Sequence, residues 1–477
     1  MSAKTLRLGI VGGLGALAGA DLLYRIVDAT PVKSEVDHRE LIFEQKPMRE
    51  PVSAMEPGYS PTHRKLYVFD TLSRLERDGC DAALLPCFIT HCFLDELEDE
   101  LQLKLVSMTE AIKLYIDCLS PQPQKIGVLA TPFVRECGLF DKLFGDDVDV
   151  IYPSRSMEWA VMEAIYGAQG FKSGRRDDAI LAPINAVLAD LAKSGATVFV
   201  PGMTELPLLF DRFAPCHGIE LVDTAAAYAR FALDVTEQRH HRPFKVGVLG
   251  GVGPAATVDF LGKLVAATEA HRDQDHIKIL VEQNPQIPDR TDNLAGTGAD
   301  PTVALYSTAK KLERGGADMI AIPCNTAHAY VDRIQSYLDI PIVSILSATT
   351  EYIIDAVPKA RRVGILATDG TIGSGLYQEA LGKVDLEPLV PDEVHQRLVM
   401  EAIYGAEGVK AGFTEGPCAD QIAGAITHLV ERGADAIILG CTELPLIVSG
   451  DTDHNGAVAV DPTNVLARKC VRLAQPT

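Results

Sequence analysis

The chain has 477 residues, 47% hydrophobic and 23% charged, with 65 acidic against 44 basic residues and a formal net charge of −21. That length exceeds what one hydrophobic core usually supports, so at least two domains are expected. The acidic balance argues against a nucleic-acid partner, which needs Lys and Arg clusters, and no apolar run reaches the roughly 20 residues that span a bilayer.

From the N-terminus, Lys4 and Arg7 followed by "LGIVGGLGALAGA" imitate a secretory signal. The pattern returns in mid-chain as "KVGVLGGVGPAATVDFL" at 245–261. No signal acts there, so both stretches read as a buried strand, a Gly-rich turn and a helix, and a cytoplasmic location is expected. Further along, "FEQKP" (43–47) answers "VEQNP" (281–285), and "IGVLAT" (126–131) answers "VGILAT" (363–368). Likewise "VMEAIYGAQGFKSG" (161–174) answers "VMEAIYGAEGVKAG" (399–412), and "MTELPL" (203–208) answers "CTELPL" (441–446). The offset holds at 237 or 238, the mark of a tandem duplication. The charged "EQRHHRP" (237–243) is the natural joint, giving domains at 1–240 and 241–477.

Within each copy, short Val/Ile/Leu runs such as "DMIAIP" and "DAIILG" alternate with turns and helix-period stretches. The expected class is α/β, each copy made of two mainly parallel units with helices on both faces. The 10 cysteines follow no regular framework, which suggests reduced and mostly buried thiols.

Two cysteines stand apart. Cys324 in "PCNTAH" (323–328) and Cys441 in "GCTELP" (440–445) each end an apolar strand and open a helical pattern. Open parallel sheets bind ligands at the carboxyl ends of their strands. A helix N-terminus there would lower a thiol's pKa, and Asn325, Thr326 and Thr442 beside it would cradle a carboxylate. Two thiols facing one α-carbon suit a reaction in which one removes the proton and the other returns it to the opposite face. A lone cysteine at a strand end is more often a small apolar filler; the matched pair with polar neighbours shifts the balance. Glu443 either tunes the thiol, contacts an ammonium or caps a helix start. His328, four residues after Cys324, is read as a packed core histidine, since one Cys/His pair lacks the ligands zinc needs.

Together with "GGVGP", "QNPQIPDRT" (283–291) and "YGAEGVKAG" (404–412), these motifs resemble the aspartate/glutamate racemase family over nearly all of residues 244–470. The resemblance implies a cofactor-independent amino-acid racemase with a cleft between two pseudo-symmetric subdomains and no metal. It makes Cys324 and Cys441 the acid/base pair and Asn325, Thr326 and Thr442 the α-carboxylate ligands. It also places Thr368 and Gln283 at the site and gives the side-chain carboxylate of an acidic amino acid to Arg290 and Lys410. Family members commonly pair, so the fused copies are expected to form an intramolecular pseudo-dimer, with further homo-oligomers open.

The first copy is altered. Cys87 remains in "PCFITH" (86–91), but Phe88 and Ile89 replace Asn325 and Thr326, and Met203 replaces Cys441. Arg290 falls on Val52, while Lys172, Thr204 and Glu205 match Lys410, Thr442 and Glu443. A thioether cannot exchange a proton with carbon, so the first copy is expected to be structural or regulatory. Other readings are racemisation of a hydantoin, isomerisation of maleate, decarboxylation of a malonate, or binding of a small ligand without turnover.

Overall fold

The computed structural model describes residues 6–50, 53–56, 58–145, 147–213, 218–236, 243–448, 450, 452–454 and 456–475. Val52 and the joint at 237–242 lie outside them. The chain divides into two compact units, Met1–Arg242 and Pro243–Thr477.

The first unit carries strands β1 (Leu8–Val11), β2 (Leu41–Glu44), β3 (Ala82–Leu84), β4 (Lys104–Val106), β5 (Lys125–Ala130), β6 (Asp149–Ile151), β7 (Val198–Gly202) and β8 (Glu220–Leu221). They form two parallel sheets, ordered β2-β1-β3-β4 and β6-β5-β7-β8. The second unit carries β9 (Lys245–Gly250), β10 (Lys278–Gln283), β11 (Met319–Ala321), β12 (Ile342–Val343), β13 (Arg362–Leu366), β14 (Glu387–Leu389), β15 (Ala436–Leu439), β16 (Asp453–His454) and β17 (Ala457–Val460). Its sheets are ordered β10-β9-β11-β12 and β14-β13-β15-β17-β16, all parallel except the terminal β16–β17 pair.

One plan therefore recurs four times. The first strand of each sheet lies inside, the chain crosses to one flank for the second strand, and it returns past the first for the third. Helices such as Ala16–Ala29 and Thr62–Arg77 make these crossovers, as parallel strands require. The inner strands are covered on both faces, which is why β1 and β15 are buried throughout and read as unbroken apolar runs. Reversal of direction leaves a crevice at the carboxyl ends of the first and third strands. In the second unit those ends lead to the Gly-rich turn and Cys324 in one sheet, and to Thr368 and Cys441 in the other. The two sheets share a core, with Val246 and Val248 in one buried cluster with Val363, Ile365 and Ile438.

The glycine turns admit no side chain. Gly13 and Gly251, equivalent by the repeat offset, have φ of +81° and +86°. A Cβ would meet the Lys46 carbonyl oxygen at 1.8 Å in the first and the Asn284 backbone at 2.4 Å in the second. An ion-pair triad is also repeated. Arg25 joins Asp21 and Asp223 at 2.6 and 2.7 Å, and Lys263 joins Asp259 and Asp461 at the equivalent positions. Asp223 and Asp461 each cap a late helix of their unit, so the triad pins that helix to the one following the glycine turn.

Two sequence expectations are corrected here. Cys92 and Cys137 are paired as a disulfide, where reduced thiols were expected; they follow the short helices Phe88–His91 and Pro132–Glu136, set beyond the ends of β3 and β5. The cysteine turns open not onto long regular α-helices but onto a 3-10 helix at Thr326–Tyr330, which runs on into a short α-helix at Val331–Gln335, and onto a 3-10 helix at Leu444–Leu446.

The histidine of the cysteine turn has a structural duty in both copies. His91 uses Nδ1 on the Cys87 carbonyl at 2.9 Å, and its Nε2 accepts from the Met108 backbone N–H at 2.9 Å. His328 repeats this with the Cys324 carbonyl and the Ile345 N–H, at 2.9 and 3.2 Å. Each ring staples the turn to the start of the next long helix. Burial lowers the pKa of both, that of His91 to about 4. Between that value and roughly 6.5 the unfolded chain binds the proton and the folded one does not. The neutral ring's contribution is thus complete above about pH 6.5 and is lost as pH falls towards 4. Urea unfolding should show wild type losing about 2 kcal/mol more than His91→Gln between pH 6.5 and 4.5. Parallel pH profiles for the two proteins would refute the staple's titration.

Candidate active site

In the second unit, side chains from both sheets line a narrow cleft, among them Arg290, Cys324, Asn325, Thr368, Lys410 and Cys441. Thr326, Thr442 and Glu443 complete the predicted residues that border it. Gln283 does not: it ends β10 on the flank of its sheet with its side chain exposed, outside the cleft lining.

The two thiols occupy different electrostatic settings. Cys441 Sγ donates to Glu443 Oε2 at 3.0 Å, and burial together with that carboxylate pushes the thiol well above its ordinary pKa. This is opposite to the lowering expected from a helix N-terminus. Lys410 Nζ stands 3.5 Å from Glu443 and 4.9 Å over the Tyr404 ring. Cys324 instead neighbours Arg290. Burial works against that guanidinium's charge, but Cys324 and Asp289 raise its pKa overall.

Hydrogen bonding leaves specific atoms available to a ligand. Arg290 is 8% exposed, donates to the Val252 and Pro288 carbonyls at 3.1 and 3.2 Å, and leaves Nε without a partner. Asn325 is 2% exposed, its Oδ1 accepts from Tyr377 at 2.6 Å, and its Nδ2 has no partner. Two unpaired buried donors in one cleft carry a desolvation cost that an anionic acceptor would remove. Thr326 and Thr368 both hydrogen-bond Thr371, at 2.7 and 3.2 Å, so their hydroxyls are partly committed to a threonine network.

The equivalent cleft of the first unit has a cavity volume of about 270 Å³. Cys87, Lys172, Met203 and Thr204 all line it, as do Phe88 and Ile89. The expectation that this copy has no guanidinium at its thiol is not met. Arg64, from the helix Thr62–Arg77, lies 3.0 Å from Cys87 Sγ and grips Glu50 through Nε and Nη2 at 2.9 and 2.6 Å. Lys172 pairs with Glu205 at 2.9 Å, and Tyr166 donates to the same carboxylate at 3.1 Å.

Sequence reasoning missed Arg64, Glu50 and Tyr404. Tyr404 and Tyr166 share the "AIYGA" repeat, a signal that was present; Arg64 has no counterpart in the second copy, where the offset meets Thr302. Outside the cleft, Asp392, His395 and His428 bring three potential metal-ligand atoms together, a cluster that the sequence did not reveal. The two imidazoles stack 3.9 Å apart at 9°, so their lone pairs run side by side without converging on one point, and Asp392 bonds His395 Nδ1 at 2.7 Å.

Two thiols at the carboxyl ends of strands from two sheets line one cleft, and the comparisons with known proteins identify the family. The family model described as Asp/Glu/Hydantoin racemase matches residues 11–232 and again 249–470. The chain belongs to that family, twice over. It is 28% identical over 235 residues to the broad specificity amino-acid racemase RacX of Bacillus subtilis, spanning 47% of this chain and 96% of that protein. It is 34% identical over 149 residues to a glutamate racemase of Corynebacterium kroppenstedtii, spanning 30% of this chain and only 49% of that enzyme. Among solved structures, the Picrophilus torridus aspartate racemase is 30% identical, with a TM-score of 0.43, over 48% of this chain and 94% of that one.

Proposed function

We propose that the second unit is a cofactor-independent racemase of an acidic amino acid, aspartate or glutamate, working through Cys324 and Cys441. The observation that carries this reading is a single cleft lined by two thiols and two unpaired N–H donors, Arg290 Nε and Asn325 Nδ2. Arg290 stands beside Cys324, and Cys441 keeps its thiol proton in a hydrogen bond to Glu443.

Cys324 takes the α-proton, the C–H electron pair delocalises into the substrate carboxylate, and Cys441 delivers its proton to the opposite face. The reverse run starts with the roles exchanged. Asn325 Nδ2 and Thr442 hold the α-carboxylate and stabilise the charge that develops on it, while Arg290 and Lys410 receive the side-chain carboxylate. Glu443 keeps the Cys441 proton in place and offers the substrate ammonium a counter-charge. The first unit, with Met203 in place of the second thiol, performs no inversion, and its role is structural or regulatory.

The test is α-proton exchange in heavy water, followed by NMR, with L- and D-aspartate and L- and D-glutamate. Deuterium is expected at the α-carbon of both enantiomers of one of them, with inversion, after dialysis against chelator. Exchange on hydantoins alone, or none on any amino acid, would overturn the reading.

A further inference from the structure

The first unit's cleft is a built site without a second base. Its two cations are each neutralised by a carboxylate already in place, Arg64 by Glu50 and Lys172 by Glu205. In the second unit Arg290 donates to two backbone carbonyls, and Lys410 stands 3.5 Å from Glu443. A dicarboxylate therefore meets the unpaired Arg290 Nε and Asn325 Nδ2 in the second unit and paired charges in the first.

At three positions the lining is apolar where the second unit carries Asn, Thr and Cys, while Ser53, Thr131 and Thr204 also border the cleft. Phe88, Ile89 and Met203 stand in for Asn325, Thr326 and Cys441, and Met48 and Met55 widen the apolar surface. Arg64 is 6% exposed, so the charged end of the cleft is buried and fixed and does not depend on a mobile surface side chain. The cavity volume is about 270 Å³ against about 20 Å³ in the second unit, room for a larger side chain in the first. Methionines adapt to large apolar groups of differing shape.

We propose that the first unit binds, without converting, a zwitterionic α-amino acid with a large apolar side chain, of leucine or phenylalanine type. Its carboxylate meets the Lys172 or Arg64 cation, its ammonium meets Glu205 or Glu50, and its side chain lies on Phe88, Ile89 and the methionines. Cys87 reaches only one face of the α-carbon, and Met203 holds the other, so bound ligand keeps its configuration. This assignment stands independently of the racemase reading of the second unit.

Calorimetric titration of the full chain with L-phenylalanine, L-leucine and L-aspartate tests it. Phenylalanine or leucine should bind this site at least tenfold tighter than aspartate. Met203→Trp, which fills the cleft, should abolish that binding, and Lys172→Met, at a partly exposed position, should weaken it about tenfold. Arg290→Leu should leave it unchanged. Binding that survives Met203→Trp or falls with Arg290→Leu would move the ligand elsewhere. Failure of both apolar amino acids to bind the full chain would overturn the proposal, whatever the second unit's activity.

Discussion

Replacing either Cys324 or Cys441 by alanine is expected to lower racemisation in both directions by about a thousandfold or more, since a positioned acid or base contributes roughly 10²–10⁴. The two variants should then differ in what survives. Cys441→Ala leaves Cys324 beside Arg290, able to remove and return a proton on one face, so one enantiomer should exchange its α-proton for deuterium without inverting. Cys324→Ala leaves a thiol hydrogen-bonded to Glu443 and pushed up in pKa by burial, and should exchange far more slowly. Cys87→Ala should keep racemisation within a few-fold of wild type. Equal loss from Cys87→Ala in a folded protein would transfer the activity to the first unit.

The second large effect belongs to Arg290→Leu. An ionic hydrogen bond is worth roughly 1.5–3 kcal/mol, so kcat/KM on aspartate or glutamate should fall about ten- to a hundredfold. The loss has two separable parts, because this guanidinium both leaves Nε free and neighbours Cys324. If it grips the side-chain carboxylate, acidic substrates suffer and a neutral amino acid does not. If it serves only Cys324, every substrate falls alike. Unchanged kinetics on both acidic amino acids would remove it from the site.

Much of this arrangement was legible in the sequence because parallel sheets write themselves as buried apolar runs. "MIAIP" and "AIILG" end at the two cysteines for that reason, and the constant offset revealed the duplication. Arg64 was hidden because its approach to Cys87 depends on how a crossover helix packs against β1 and the short helix Phe88–His91, a tertiary relation with no local pattern. Gln283 looked like a site residue because its motif adjoins Arg290, yet it belongs to a flanking strand and its side chain is exposed. The helix-end argument for the thiols failed at a different level: the sequence permits a helix after Cys324, but the turn closes in 3-10 form.

The histidine staple separates the shape of the cysteine turn from its reactivity. His91 holds the equivalent two backbone groups to His328, although Phe88, Ile89 and Met203 have replaced Asn325, Thr326 and Cys441. A duplicated copy was thereby free to drift through its chemistry without passing through an unfolded intermediate, which is how a spare enzyme half becomes available for another task. The same separation makes the drift retraceable in the laboratory: Phe88 and Ile89 are changes of side chain on a turn whose backbone His91 still holds, and Met203 follows β7 at the same cleft.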